Sequence, residues 1–194
     1  KNGSKTWCSY KIWIVDKSCY MFVMDFIIHK VNQFNKHKLN LINLINKIPQ
    51  TTCNSDNEKI SHTDYKIPQT MKREYVDYFV NNIYGDYYDN LKSINKVNVI
   101  GFRNIWFQVY NKGDWHGSHT HPGTHFTNVL YVNLPNKNLK TFLKKPNGEV
   151  FNFDAEEGDL ITFPAYYEHS SPENKSNEQK IIISFNIDIQ SYKY

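Results

Sequence analysis

Cysteine is scarce in this chain of 194 residues, and the three present (Cys8, Cys19 and Cys53) are an odd number at no motif spacing. That excludes a disulfide-stapled scaffold and predicts reduced thiols in a cytoplasmic compartment. Long apolar runs are also missing. The stretch from Tyr20 to Ile28 is broken by Asp25 and is too short to span a bilayer, and no secretory signal is visible, so no membrane partner is indicated. An excess of one charge is lacking too: 23 Lys and Arg against 19 Asp and Glu leave +4, too little to indicate nucleic acid. The densest basic group, Lys140, Lys144 and Lys145, reads as a solvated hairpin. There is no internal repeat and no low-complexity tract. What remains is 40% apolar and 15% aromatic, the composition of a globular chain long enough to bury one core.

In order, Trp7 to Val15 has a strand-like pattern closed by a turn at Asp16 to Ser18. Ile27, Val31, Phe34, Leu41, Ile45 and Ile48 lie at helical spacing, predicting an amphipathic helix over about 26–48 that ends at Pro49. Thr51 to Asn57 reads as a polar surface loop. A second helix is predicted from Thr70, as N-cap, to Ile83, with Tyr75, Phe79 and Ile83 four apart; Tyr84 to Asn90 then reads as a connector. After Val97 the pattern turns to short strands. Asn104, Trp106, Gln108 and Tyr110 alternate with Ile105, Phe107 and Val109, giving one polar-aromatic and one aliphatic face. Further strands are predicted at Phe126 to Leu134, Thr141 to Lys145, Val150 to Phe153 after a Pro146-Asn147-Gly148 turn, Asp159 to Phe163, and Lys180 to Ile189. The fold class expected is mainly β with N-terminal helices, a double-stranded β-helix or jelly roll. Residues 1–95 would be a helical support packed on the sheet and 96–194 the core, in a single domain.

Four of the eight histidines, His116, His119, His121 and His125, fall within ten residues. On an extended strand His119 and His121 would share one face, as two ligands of a single ion must. His169, at the end of Gly158-Asp-Leu-Ile-Thr-Phe-Pro164-Ala-Tyr-Tyr-Glu-His169, supplies a third point. Two ligands from one strand and one from a later strand make a facial site with open positions, the arrangement used by non-haem iron. If His119 points inward, so do Tyr110 and Gln108 before it, and Lys180, Ile182, Ser184 and Asn186 share one face of the last strand. A lysine buried there needs an anionic partner, and a bound acid is a candidate; otherwise Lys180 sits at the strand end and reaches solvent. His116 and His125 read as bystanders on the surface or behind the site.

Trp106 to Gly113, His119-Thr-His121-Pro122, Gly158 to His169, and Lys180-Ile-Ile-Ile-Ser184-Phe185-Asn186 together resemble the Fe(II)- and 2-oxoglutarate-dependent oxygenases, most of all their small phage and bacterial members. The resemblance covers roughly residues 100–188. It implies a dioxygenase, a hydroxylase that couples decarboxylation of 2-oxoglutarate and reduction of O₂ to C–H oxidation of a small molecule or a protein side chain. A viral source would put it in the host cytoplasm. His119 and His169 would ligate iron, Lys180 would hold the distal carboxylate of 2-oxoglutarate, and Ser184 would share its face. Gln108 and Tyr110 match an Asn-x-Tyr pair that touches 2-oxoglutarate in the alkyl-demethylase branch, with Gln in place of Asn.

One departure stands out: His121 occupies the position of the family's acidic ligand. Either three histidines hold the metal, or Asp114 or Glu168 substitutes from outside the motif, or His121 points away and activity is lost. The first is favoured. A cupin, sharing the jelly roll without using 2-oxoglutarate, is the alternative: Gly113 with His119-x-His121, and Gly158, Pro164 and His169, fit its two motifs. His125 and Tyr166 miss its glutamate and glycine. A jelly roll that binds a ligand without catalysis is a third reading.

Overall fold

A computed structural model describes residues 26–95 and 97–192. The strand expected at Trp7 to Val15 with its turn, and Cys8 and Cys19, lie outside the described residues. Cys53 is a buried free thiol. Among the described residues no helix is long and apolar enough to cross a membrane.

Two antiparallel sheets face each other. The strands are β1 (Ile27–Lys30), β2 (Cys53–Ser55), β3 (Glu58–Ile60), β4 (His62–Thr63), β5 (Val97–Tyr110), β6 (Trp115–His119), β7 (Phe126–Asn133), β8 (Phe142–Lys144), β9 (Asp159–Pro164), β10 (Glu168–Ser171) and β11 (Lys180–Tyr192). One sheet has the order β1-β9-β7-β11-β5-β4 and the other β2-β3-β6-β10-β8. This is the jelly roll the strand pattern predicted. Alternation along β5 and β11 divides their side chains between two cores. Ile105, Phe107, Val109, Ile181, Ile183, Phe185 and Ile187 face a core shared with the helices. Tyr110 and Ile182 face a second core between the sheets, with Val129, Tyr131, Phe163 and Tyr167.

The helices cover the outer face of the larger sheet. Leu41 and Ile45 of α1 (Asn35–Ile45) are fully buried there. From α2 (Glu74–Phe79) the chain passes through a π-helical turn at Val80–Tyr84 into α3 (Gly85–Asn95). Tyr75, Phe79, Ile83, Tyr87 and Leu91, each four residues from the last, are all buried in the shared core. A stripe spaced by four drifts around a helix of 3.6 residues per turn, and the wider π turn returns it to the sheet.

Several local expectations are corrected. The segment predicted as the start of the first helix is strand β1, paired with β9 from Ile27↔Thr162 to Lys30↔Asp159. Ile27 joins the helix-side core and Ile28 packs toward the inter-sheet core, so partnership with a sheet edge overrides helical spacing. The expected loop at Thr51 to Asn57 contains β2 and leads into a hairpin with β3. The helix predicted to end at Ile83 continues to Asn95, so Tyr84 to Asn90 is not a connector; the N-cap is Arg73, not Thr70. Val150 to Phe153 is not a strand and makes only a bridge, Lys144↔Val150.

The outer edge of β5 is closed by side chains of the 63–73 segment. Asp64 Oδ1 accepts from Phe107 N at 2.8 Å and Gln69 Oε1 from Ile105 N at 3.1 Å. Arg73 donates to Ile105 O at 2.9 Å and Thr63 Oγ1 to Phe107 O at 2.6 Å. Asp64 itself is buried and pairs with Arg73 at 2.8 Å.

Candidate metal centre

The strand ladder sets the site. His119 on β6 stands directly opposite His169 on β10, so the two imidazoles project from one face with ring centroids 4.2 Å apart. His121 lies two residues on, just past the end of β6, where its backbone N–H donates to Ala165 O at 2.9 Å. Its ring stacks on that of His169 at 5.0 Å. One ligand atom from each of His119, His121 and His169 lies within 4.8 Å of the others. The rings are also turned for coordination. His119 Nδ1 meets Gly117 O at 2.8 Å and His169 Nδ1 meets Tyr167 O at 3.0 Å. A carbonyl only accepts, so both Nδ1 atoms carry protons and both Nε2 lone pairs are free, the tautomer that ligating histidines adopt. Burial lowers the pKa of all three, that of His121 to about 4 and that of His169 well below its ordinary value, so neutral rings are presented at pH 7. The donor set fits a divalent transition metal.

The two carboxylates considered as outside ligands are engaged elsewhere. Asp114 accepts from Asn111 N at 2.8 Å and Ser61 N at 3.1 Å and faces Lys59. Glu168, on the opposite face of β10 from His169, pairs with Lys144 and accepts from Ser118. His121 does not point away.

The histidines open onto a cleft between the sheets, also lined by Gln108, Tyr110 and Ser184, as inward counting along β5 and β11 predicted. Lys180, which pairs with Tyr110 across β5 and β11, lies beneath it. Its ammonium donates to Ser171 Oγ at 2.7 Å and sits 5.1 Å from the Tyr110 ring centre. Lys180 is 0% exposed, which removes the reading that it reaches solvent. Among the described residues no carboxylate pairs with it, and burial alone draws its pKa down to about 7. Burial likewise pushes the Tyr110 phenol up, so it stays a neutral donor.

Of the two bystanders, His125 is exposed and bonded to Asp188 at 3.1 Å, whereas His116 lines the cleft. Three participants were missed in the sequence. Ser171 shares the face of His169 two residues on, and counting along β10 would have found it. Thr141 lines the cleft from a segment read only as strand. Glu58, opposite His116 across β3 and β6, lay just past a segment read as loop, with no local signal.

The sequence matches no protein-family model and no curated protein. Solved structures do match. A 2OG-Fe(II) oxygenase family protein from Burkholderia pseudomallei superposes with a TM-score of 0.63 at 13% identity, over 87% of this chain and 88% of that one. A viral collagen prolyl hydroxylase from Paramecium bursaria Chlorella virus 1, in complex with 2-oxoglutarate, gives 0.52 at 17% identity over 82% and 94%. A non-haem α-ketoglutarate-dependent epimerase of nogalamycin biosynthesis gives 0.65 at 9% identity over 84% and 76%. The chain thus has the double-stranded β-helix fold of the 2-oxoglutarate- and Fe(II)-dependent oxygenases.

Proposed function

We propose that this protein is an Fe(II)- and 2-oxoglutarate-dependent dioxygenase in which His119, His121 and His169 hold the metal. The observation that carries the reading is a three-imidazole cluster lining one cleft of an oxygenase fold and, bonded to Ser171 of that lining, a buried lysine that no carboxylate meets among the described residues. An unpaired buried ammonium is expensive, and a dicarboxylate whose far end reached Lys180 would remove that cost. This asymmetry favours a 2-oxo diacid over a cupin reaction that needs no such ligand, and over a merely structural role for the histidines.

Fe(II) held there would supply the redox chemistry that couples decarboxylation of 2-oxoglutarate to oxidation of a C–H bond. The overall conversion for hydroxylation is R–H + 2-oxoglutarate + O₂ → R–OH + succinate + CO₂. The chain's own contributions are separable. His119 and His169, fixed across a ladder, set the coordination geometry. Lys180 holds the distal carboxylate, with Ser171 orienting its ammonium, and Tyr110 donates to the same anion. Gln108 and Ser184 line the cleft beside it, and Val129 and Ile182 help keep it dry. The segment from Phe26 to Asn95 adds strands β1 to β4 to the two sheets and helices to the outer face of the larger one, and so serves as a support within one domain; the free thiol of Cys53 accords with a cytoplasmic setting.

Two measurements test the reading. Equilibrium dialysis should find one Fe(II), or Mn(II), per chain. Conversion of 2-oxoglutarate to succinate without added substrate should be detectable and depend on that metal. Oxygen uptake independent of 2-oxoglutarate would favour the cupin reading instead.

A further inference from the structure

A fourth imidazole belongs to the site and has no role in the ligand set. The His116 ring lies nearly parallel to that of His119, 18° apart in plane and 4.0 Å between centroids. Its Nδ1 faces Gln108 Nε2 at 3.3 Å and its Nε2 faces Glu58 Oε2 at 3.5 Å. An amide nitrogen only donates, so Nδ1 accepts and the proton resides on Nε2, directed at the carboxylate. The backbone fixes this contact: Glu58 is paired with His116 across β3 and β6, and Gly117 N donates to Asn57 O at 2.7 Å. Gly117 permits that approach, since a Cβ there would stand 2.9 Å from the same carbonyl and closer still to the Asn57 side chain.

The charges around the cluster single out Glu58. Three neutral imidazoles leave both positive charges of a divalent ion uncompensated, whereas a set containing a carboxylate leaves one. Asp114 and Glu168 are each paired with a lysine. Glu58 is paired with no lysine or arginine among the described residues; its ion-pair partner is His116. Its charge is therefore directed at the ring that lies against His119.

On the functional reading above, we propose that Glu58 supplies, through His116, the negative charge that the three-histidine ligand set lacks, and so acts as a positioning and charge-compensating residue for the metal. A carboxylate removed from the inner ligand set to a neighbouring strand leaves all three ligands neutral and retains part of the attraction that a direct carboxylate would give.

The test is a Co(II) titration followed by calorimetry and visible absorption, on the full chain. Glu58→Gln keeps shape and an acceptor for His116 while removing charge. It should weaken Co(II) binding about tenfold, the lower end of what loss of an outer-sphere partner costs. Glu58→Asp should bind more tightly than Glu58→Gln. Melting of both metal-free variants should match that of the wild type. Unchanged affinity in Glu58→Gln would overturn the proposal, as would a loss of affinity matched by lower metal-free stability, which marks a structural role. Equal weakening in Glu58→Asp and Glu58→Gln would also overturn it. The wild-type titration is read first: absence of Co(II) binding there defeats the metal-site reading itself, and binding there isolates the question about Glu58.

Discussion

The two faces of the larger sheet are built from the same strands and do opposite things. On β11, Ile181, Ile183, Phe185 and Ile187 pack against helices, while Lys180, Ile182, Ser184 and Asn186 turn inward. The outer face gains stability by excluding water from apolar surface. The inner face buries an ammonium with one hydroxyl partner and looks across the cleft onto four imidazoles carried by β6, the residues just after it and β10 of the smaller sheet, at a cost to the metal-free protein. The difference teaches that alternation within one strand separates folding from chemistry, so the two can be perturbed independently.

The strongest break is across the cleft, on the smaller sheet that this inner face looks onto. Removing a ladder ligand by His119→Ala or His169→Ala should abolish stoichiometric Fe(II) or Mn(II) binding in equilibrium dialysis while leaving the circular dichroism spectrum unchanged. Metal retained in both variants would remove the site. On the outer face the reverse is expected. Phe185 touches the rings of Phe79, Tyr87 and Phe102, and Phe185→Ala should lower unfolding stability by about 3–5 kcal/mol in urea, with metal affinity of the folded protein preserved.

Lys180→Met combines the two kinds of effect, since it removes the charge proposed to hold 2-oxoglutarate and a folding penalty together. The apparent constant for 2-oxoglutarate should rise about 10- to 100-fold, read from succinate formation, with metal affinity unaltered. pH sharpens the same point. Burial holds the folded pKa of Lys180 near 7, below its ordinary 10.5. Below about 7 the penalty is fully present. Between the two values the unfolded chain keeps a proton that the folded chain has released, so this group makes stability rise with pH. Metal-free wild type should therefore gain melting temperature from pH 7 to pH 9 relative to Lys180→Met, and its affinity for 2-oxoglutarate should fall over the same range. Parallel profiles would show that Lys180 is not the group concerned. The smallest effect is expected from Tyr110→Phe, a loss of about two- to tenfold in 2-oxoglutarate affinity with metal binding intact. Equal damage to both would give Tyr110 a folding role.

Much of this arrangement was legible because period-two alternation is a strong local signal. It placed Gln108, Tyr110, Ser184 and Lys180 on the inner side, and the histidine spacings marked the residues that now cluster. What sequence could not give depended on partners distant in the chain. Ile27 and Ile28 have helical neighbours in sequence, yet pairing with β9 makes them a strand. Tyr87 and Leu91 continue the apolar stripe of α2 only because a π turn corrects its drift, which spacing alone does not announce. His121 was expected on the strand of His119 but stands past its end, held by Ala165. Glu58 reaches the site through a hairpin that polar composition disguised.

The closed edge of β5 bears on behaviour in concentrated solution. An extended strand with free N–H and C=O groups invites another chain to add to the sheet. Here Asp64, Gln69, Arg73 and Thr63 occupy the outward groups of Ile105 and Phe107, so the strand beside the cleft offers no template at those two residues. Asp64 also carries Tyr75 and Arg73, which ties this protection to the helix packed behind the sheet. Loosening α2 would thus expose a sticky edge before it disturbed the histidines, and self-association would precede loss of the histidine cluster.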